Sequence, residues 1–454
     1  MSGSAEAATT APAPEPPTEP DPEAGARPTA LLPFSHLIRI SLYWLGLTAI
    51  DAAVTQFVIN RLEFDGWVPK DSVGTTLFLI GVGGAIVGII IQPTVGYISD
   101  FTQSRWGRRK PYIVIGSLLD VVFLAGIATS NTVLALAAFV VLLQFSTNTA
   151  RGPFQGYVPD LVAQPQVGMA SGLVGLMQIL GNVVGFGLVT LAVNLGNISI
   201  GLVAVAVVEL VTMVSVCLRV GKGMPARDRA GRSWARIARE AWATDVLRER
   251  SYVWLLISRL LFLMGGALLA NFVVVYLSRA MALEQVEANN MYLVTLAVVL
   301  TANVLAILPA ARLSDRLGRK LLIYTACAVG ALGIGIAGLA PTVPVALAGA
   351  ALFGAASGTF LAVDWALMTD IIPRASSGRY MGLSNVATGA ATPLAVALGG
   401  IVLDAVTRAG GYEMGPRVVF LMGIGLYALA AVTLRPVVEP RRGAAQAAPV
   451  VASA

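Results

Sequence analysis

Long apolar stretches alternate with short polar segments along most of this chain. A helix that crosses a bilayer core of about 30 Å needs about 20 residues, and the apolar stretches reach that length. The pattern therefore predicts an all-α membrane protein with twelve spanning helices. Their predicted bounds are 37–59, 73–96, 111–129, 132–150, 169–194, 198–218, 252–277, 290–311, 321–340, 343–368, 380–403 and 417–434.

The segments outside these spans divide the chain into five parts. Residues 1–30 are rich in Pro, Ala, Glu and Thr and lack the apolar core of a signal peptide, which predicts a disordered tail. Residues 31–218 form the first predicted six-helix bundle and residues 251–435 the second. A basic connector, 219–250, lies between them, and a second Ala/Pro-rich tail follows from 436 to 454.

Basic residues are concentrated in alternate loops. These loops contain Arg105, Arg108, Arg109 and Lys110 after the second span, Arg151 after the fourth, nine Lys and Arg in the connector, Arg312, Arg316, Arg319 and Lys320 after the eighth, and Arg374 and Arg379 after the tenth. Loops rich in Lys and Arg stay on the cytoplasmic side of a membrane. The distribution therefore predicts a multi-pass protein of the cytoplasmic (inner) membrane with both termini in the cytoplasm.

Composition narrows the function classes. Of the residues, 56% are hydrophobic and 12% charged, where a soluble domain has roughly 25% charged. The single histidine, His36, and the two cysteines, Cys217 and Cys327, do not provide a histidine-based triad or a Cys/His zinc site. The net charge of +6 lies in the membrane loops, so we expect no nucleic-acid partner. No phosphate-binding loop, zinc-protease motif or nucleophile elbow is present, so we expect neither an enzyme nor a cofactor.

Two sets of polar residues recur at an offset of about 210 residues. Ser99-Asp100 and Gly107 to Lys110 are matched by Ser314-Asp315 and Gly318 to Lys320. Further along, Asp160 with Gly168 and Gly172 is matched by Asp370 with Gly378 and Gly382. Two matches in register on equivalent loops predict an internal duplication, with two pseudo-symmetric six-helix bundles.

The segment from Gly96 to Pro111 resembles the signature loop of the major facilitator superfamily. Together with the segments 148–153 and 364–370, it resembles the branch that holds the glycoside–pentoside–hexuronide cation symporters and the sucrose–proton symporters. This resemblance covers the chain between its tails. It implies a monomeric transporter in membrane lipid, which moves a small-molecule solute with a proton or sodium as the coupling ion.

The duplicated loop residues are candidates for a cytoplasmic gate. Asp100 can cap the N-terminus of a helix in the other half, where an anion is favoured, and Arg108 and Arg109 can pair with Asp160. The whole candidate set is Gly96, Asp100, Arg108, Arg109, Asp160, Asp315, Arg319, Asp364, Asp370 and Arg379. The alternative interpretation is that these residues serve only to set the membrane topology.

Asp51 is an ionisable residue well inside a predicted span, which makes it a functional candidate. Trp44, Thr48 and Thr55 lie at i−7, i−3 and i+4 and should share its helix face. A carboxylate shielded there can take and release a proton, while hydroxyl and indole groups suit a polyhydroxylated ligand. The alternative is an aspartate wetted near the outer surface.

Arg259 lines the cavity if the resemblance holds, where it can pair with Asp51 or Asp364 or bind a substrate. Alternatively it extends to the cytoplasmic surface. The amides of Gln144, Asn148, Asn271 and Asn385 complete the candidate site, although polar contacts between helices explain such residues equally well. Asp120 and Glu209 fall in spans three and six, which are peripheral by the resemblance. We suggest that these two residues pair with each other, directly or through water.

One position departs from the resemblance. Gln144 stands where the sucrose symporters are expected to have an aspartate that carries the proton. We therefore assign coupling to Asp51, and a facilitative uniporter stays open. The preferred hypothesis is a proton-coupled symporter of a sugar or glycoside. An exporter of an amphiphilic metabolite or drug by proton antiport is the second, and a membrane-embedded enzyme or receptor the third.

Overall fold

The computed structural model describes residues 29–240, 249–371 and 377–438. Within these ranges twelve helices are long and apolar enough to cross a membrane, and no strand is present. We label them α1 Phe34–Glu63, α2 Val73–Asp100, α3 Lys110–Thr129, α4 Val133–Leu161, α5 Val167–Asn194, α6 Ser199–Arg219, α7 Arg250–Arg279, α8 Gln285–Leu317, α9 Arg319–Leu339, α10 Val343–Ile371, α11 Ser377–Arg408 and α12 Met414–Thr433. The twelve predicted spans are confirmed.

Two of the spans contain interruptions, and several are longer than predicted. A single turn residue, Leu42, interrupts α1, and Gly156 interrupts α4. The prediction that the fourth span ends at residue 150, with Arg151 in a loop, is wrong because the helix continues to Gln155 before Gly156. Pro153 lies inside this helix, where its carbonyl accepts a hydrogen bond from Arg109 at 3.0 Å. Prolines are tolerated in membrane helices when neighbours satisfy the released backbone groups.

Each half packs its six helices in the same way. In the first half α1 contacts α5 and α6, α2 contacts α4, and α3 contacts both α4 and α6. In the second half α7 contacts α11 and α12, α8 contacts α10, and α9 contacts both α10 and α12. The two lists are identical after a shift of six helices, so the predicted pair of pseudo-symmetric six-helix bundles is confirmed.

The duplication extends to individual hydrogen bonds. Lys110 donates from Nζ to two carbonyl groups at the end of α6, both at 2.8 Å, and Lys320 donates to two carbonyl groups just past α12, at 2.7 and 2.8 Å. Carbonyl groups at a helix C-terminus have no partner within the helix and favour a cation. Gly107 and Gly318 precede these two sites with φ of +100° and +95°, a conformation that favours glycine.

The halves meet through α2 with α11 and through α5 with α8. Gly74 and Gly400 mark a close approach, because a Cβ on Gly74 would lie 2.1 Å from the Gly400 carbonyl oxygen and the reverse distance would be 2.2 Å. We call the end of the molecule that contains Gly74 the closed end. The opposite end, where residues 101–109, residue 318 and the connector lie, is called the basic end.

The described part of the connector follows the first half at the basic end. Its short helix, Trp234–Glu240, packs against α2. The Arg227 amide donates to the Asp100 carbonyl at 2.8 Å, and Arg108 donates to the Pro225 carbonyl at 3.5 Å. The connector is therefore attached to the first half by its own hydrogen bonds.

Candidate functional site

A cavity of about 460 Å³ lies between the two halves, lined by α1, α2 and α4 of the first and α7 and α11 of the second. This volume is typical of small-molecule sites, roughly 300–1,000 Å³. Most of the wall is aliphatic, and Phe272 is the one aromatic side chain among its described lining residues. The polar lining residues are Asp51, Thr55, Gln92, Gln144, Asn148, Arg151, Gln155, Asn271, Thr388 and Thr392.

Asp51 on α1 and Arg151 on α4 form an ion pair in the wall of the cavity. Arg151 Nη2 contacts Asp51 Oδ2, and the two side chains are 17% and 35% exposed, so both are reachable from the cavity. Each charge offsets the cost of the other within the membrane interior. The sequence prediction placed Asp51 in the site but missed its partner.

Arg151 shares a helix face with two predicted site residues. Gln144, Asn148 and Arg151 are spaced by four and three residues, which places them one above another on α4. Asn148 Nδ2 donates to Gln144 Oε1 at 3.0 Å. The spacing was available in the sequence, but it carries information only if the helix extends past residue 150.

Glycines on α2 make room for this polar face. A Cβ on Gly84 would lie 2.8 Å from Gln144 Cγ, and one on Gly88 would lie 2.9 Å from Asn148 Nδ2. Larger side chains there would displace the amides. Gly96 of the candidate gate has a related role, because a Cβ there would lie 3.3 Å from the backbone of Gly152 on α4.

Only part of the predicted α1 face points into the cavity. Thr55 lines it, whereas Trp44 and Thr48 are not among the lining residues. Thr48 Oγ1 lies within hydrogen-bond distance of the Trp44 carbonyl, at 2.8 Å, and of the Gln178 carbonyl of α5, at 3.2 Å. Trp44 is buried in the first bundle. Because α5 packs directly against that side of α1, Trp44 and Thr48 lie outside the cavity wall, and their predicted place in the binding site is corrected.

Arg259 lies inside the second half rather than on the cavity wall. Its Nη1 is 2.8 Å from Asp364 Oδ2, and both side chains are buried between α7 and α10. Of the two partners considered, Asp364 is the one found. Asn271, about three turns further along α7, does line the cavity.

Ion pairs at the basic end lie within the first half. Asp160 accepts from Arg108 Nη2 and from Arg109 Nε, each at 2.7 Å, so the predicted contacts with Asp160 are confirmed. Asp100 does not cap a helix of the other half in this conformation; it pairs with Arg109 at 3.1 Å and Arg108 at 3.5 Å. Burial lowers the pKa of Arg109, but the hydrogen bond and charge of Asp160 outweigh it, so that this pKa is raised overall.

The corresponding residues of the second half are described in less detail. Arg319 opens α9 and is half-buried. Asp315, Asp370, Arg379 and Asn385 lie on α8, α10 and α11, and their side chains are outside the described part of the structure. Their roles stay predictions.

The closed end contains an ion pair that sequence reasoning missed. Arg279 on α7 donates from Nη2 and Nε to the two carboxylate oxygens of Glu63 on α1, at 2.7 and 2.9 Å, and both side chains are fully buried. Next to it, Asn60 and Asn289 exchange hydrogen bonds of 2.9 and 3.1 Å between α1 and α8. Glu63 lies beyond the predicted span, and Arg279 was assigned to a loop.

Asp404 adds a helix cap between the halves at this end. Its carboxylate on α11 accepts from the Gly74 amide at 2.8 Å and from the Thr75 amide, at the N-terminus of α2. The structure thus has the kind of cap predicted for Asp100, but at the opposite end and from another aspartate. These contacts join other hydrogen bonds between the two bundles at the closed end, among them Asn194 with Asn290 and Arg408 with the Asp71 carbonyl.

Comparisons with known proteins agree with this architecture. The family model of the Major Facilitator Superfamily matches residues 70–302 and 286–452. The protein named Sucrose transport protein SUT1 of Oryza sativa subsp. japonica is 30% identical over 125 residues, which is 23% of this chain and 23% of that protein. The match thus spans less than a quarter of this relative's length.

Two solved structures share the whole fold. A bacterial homolog of the human lysosomal transporter Spinster has a TM-score of 0.69 at 13% identity, covering 89% of this chain and 96% of the other. A D-xylose-proton symporter has a TM-score of 0.68 at 18% identity, covering 89% and 98%. At these identities the likeness concerns the fold alone.

Proposed function

Because this chain belongs to the major facilitator superfamily and is a multi-pass membrane transporter, we propose that it moves a sugar or glycoside by proton symport. The observation that carries this proposal is the Asp51–Arg151 ion pair in the wall of a solute-sized cavity between the two halves. We further propose the inner membrane as its location, with both termini cytoplasmic and the monomer as the working unit.

Alternating access follows from where the halves touch. The contacts at the closed end bar the cavity on that side, whereas Asp160 at the basic end pairs with Arg108 and Asp364 pairs with Arg259, each within its own half. Opening the closed end requires the Glu63–Arg279 pair and the Asp404 cap to separate. The residues Asp100, Asp160, Asp315 and Asp370 with their arginines are then proposed to join the halves at the basic end.

Proton coupling is proposed to act through the charge balance of the cavity. When Asp51 is ionised, it neutralises Arg151 and the wall carries no net charge from this pair. A proton on Asp51 releases Arg151, whose guanidinium is then free to donate hydrogen bonds to a solute. Binding of proton and solute would thereby favour each other, as linkage requires.

The polar lining suits a polyhydroxylated solute. Amides and hydroxyls from Gln144, Asn148, Asn271 and Thr388 face one cavity and can exchange hydrogen bonds with hydroxyl groups. The partial match to a sucrose transporter agrees with this solute class. The aliphatic remainder of the wall supports the second candidate, an exporter of an amphiphilic compound by proton antiport. Gln144 in place of an acid keeps a facilitative uniporter as a further alternative.

Purified protein in liposomes tests the proposal. With an imposed pH gradient, we expect accumulation of radiolabelled sucrose or D-xylose above its external concentration. Asp51→Asn should reduce accumulation to the level of protein-free liposomes but leave exchange of internal for external sugar, because exchange needs no net proton movement. Asp228→Asn, on the exposed connector, is the matched control.

Other results would identify the alternatives. A sodium gradient that drives uptake where a pH gradient does not would replace the proton as the coupling ion. Equilibration without accumulation would indicate a uniporter. Absence of any sugar movement, with extrusion of a fluorescent amphiphile, would overturn the sugar proposal in favour of export.

A further inference from the structure

Two carboxyl groups lie side by side in the interior of the first bundle, away from the cavity wall. Asp120 on α3 and Glu209 on α6 are both 0% exposed. The Tyr43 hydroxyl lies 2.6 Å from Ser117 Oγ, one turn before Asp120 on α3, and 3.3 Å from Glu209 Oε1, so the packing of α3 on α6 brings the two carboxyl groups to the same place. Neither is among the residues that line the cavity. The proposed transport cycle does not yet use them.

Hydroxyl groups surround one side of this pair. Asp120 Oδ1 accepts from Thr147 Oγ1 at 2.8 Å and from Ser146 Oγ, both on α4. Glu209 Oε1 accepts from Tyr43 Oη on α1 at 3.3 Å. The other two oxygens, Asp120 Oδ2 and Glu209 Oε2, are buried and accept no hydrogen bond from any N–H or O–H group in the described structure.

A contact between two carboxyl groups is a hydrogen bond only if one of them carries a proton. No Lys or Arg side chain in the described ranges forms an ion pair with either group. Two adjacent carboxylates without an ion-pair partner would repel each other and would be penalised by burial. We propose that Asp120 and Glu209 form a proton-binding site, in which one proton is shared between Asp120 Oδ2 and Glu209 Oε2.

The second half shows that the fold does not require acids at this place. The matched lysines Lys110 and Lys320 put Asp120 in register with Gly330. Lys110 binds the carbonyl groups of residues 217 and 220, and Lys320 binds those of residues 435 and 437. Aligning these two pairs puts Glu209 in register with Leu426 or Tyr427. There the Tyr427 ring packs directly over Gly330, where a Cβ would lie 3.2 Å from it. Aromatic packing therefore takes the place that a carboxyl pair occupies in the first half.

Arg151 connects this site to the cavity. It lies one helical turn beyond Thr147, which donates to Asp120, and its charge acts on Asp120 as well as on Asp51. Tyr43 is the other titratable group that faces the pair, from α1. When Asp51 takes up a proton, Arg151 loses its partner, and its positive charge can stabilise a carboxylate at Asp120.

The two proton sites should therefore be coupled, with the shared proton in alternation between the two carboxyl groups. A proton added to Asp51 favours transfer of the shared proton from Asp120 to Glu209, where it stays, and a proton lost from Asp51 favours its return to Asp120. The loaded transporter then holds one proton more than the empty one. This step rests on the proposed proton coupling. The existence of the shared proton does not, and it can be measured without any solute.

Infrared difference spectroscopy of the purified wild-type protein detects the shared proton directly. A protonated carboxyl group gives a carbonyl stretching band that shifts in D₂O and that a carboxylate lacks. We expect such a band near neutral pH, and we expect Asp120→Asn and Glu209→Gln each to remove it. Glu287→Gln, an exposed residue on α8, is the matched control and should leave it intact.

The coupling to the cavity has its own test. Asp51→Asn imitates a protonated Asp51, so the shared proton should move to Glu209 and the band should shift in frequency at the same pH. A wild-type spectrum without the band, or a band that survives in both Asp120→Asn and Glu209→Gln, would overturn the site. A band unchanged in Asp51→Asn would overturn the alternation.

Transport measurements separate this inference from the proposed function. In Asp120→Asn, which retains an oxygen for the Ser146 and Thr147 hydroxyls, we expect sugar exchange to continue while gradient-driven accumulation falls. A structural role alone would reduce both together. If no sugar is transported but the band is present and removed by Asp120→Asn, the proton site stands and the sugar proposal fails. If wild-type symport is observed and Asp120→Asn and Glu209→Gln accumulate sugar normally, the site is not part of coupling.

Discussion

At the scale of single residues, Glu63 and Arg279 join the first helix of each half by two hydrogen bonds with no exposure to solvent. Arg279 also donates to the Lys70 carbonyl at 3.0 Å and to Thr407 at 3.2 Å. A buried charge that loses its partner is far more costly than a pair removed together. The closed end therefore depends on both residues at once.

We predict that Glu63→Ala and Arg279→Ala each destabilise the protein by about 3–5 kcal/mol. The double variant should lose clearly less stability than the sum of the two single losses, because no buried charge is then left unpaired. Thermal unfolding of the purified variants measures this. Arg61 and Asp65 form a partly exposed pair near the same end, with a contact of 2.7 Å. The same comparison of single and double variants there should give an interaction energy of about 0–1 kcal/mol. Additive effects at Glu63 and Arg279 would contradict the interpretation.

The sequence predicted individual residues unevenly. Asp51 was identified because a charge inside a span is costly and therefore conspicuous. Arg151 was missed because the predicted span ended at residue 150, whereas the helix continues past Gly152 and Pro153 to Gln155. Asp51 pairs with a residue one hundred positions further along the chain. The partner of Asp100 depends on which end of the molecule is closed. Local pattern contains neither kind of information.

At the scale of helices, the meeting of α2 with α11 depends on two glycines. At Gly74 and Gly400 the backbones approach so closely that neither position has space for a Cβ. The Asp404 cap lies at the same place and holds the N-terminus of α2. The close packing and the cap thus act on one pair of helices.

We predict that Gly74→Ala prevents the closed end from forming and reduces transport to background. Gly187→Ala on α5, where a Cβ meets nothing within 4 Å, should transport solute normally and serves as the control. Ile59 lines the cavity, so an Ile59→Cys substitution in a Cys217→Ser, Cys327→Ser background reports whether the closed end is open. In cells we expect an impermeant thiol reagent to label it more strongly in Gly74→Ala. Equal labelling in both glycine variants would show that the glycine contact does not control access.

Helix bounds were predicted closely because apolar length and polar loops determine them. The packing of the helices was not, since most spans are apolar on every face and their sequence does not say which face meets which neighbour. The duplicated loop residues supplied the missing constraint. Lys110 and Lys320 show its physical basis, because each binds the end of the last helix in its half.

At the scale of the whole molecule, the halves repeat the same packing but differ in chemistry. The first half holds Asp51, Arg151, Asp120 and Glu209, and three helices contribute to the cavity from it. The second half contributes two helices and, at the position that corresponds to the carboxyl pair, an aromatic side chain. Sequence comparison of the halves found the shared loops, whereas this difference required the register that the structure provides.

The attachment of the described part of the connector to the first half bears on how the protein can be divided and rebuilt. A chain cut within residues 241–248 would leave the connector helix on its existing partners, with the Arg227–Asp100 bond intact. Each fragment would then hold one complete bundle. We predict that the two fragments, expressed together, assemble and transport, as co-purification and uptake would show. A cut between Arg219 and Lys222, which moves the connector to the second fragment, should lower the yield of assembled protein. The same yield from both cuts would show that the connector is a passive tether; a difference would show that it is a structural part of the first half.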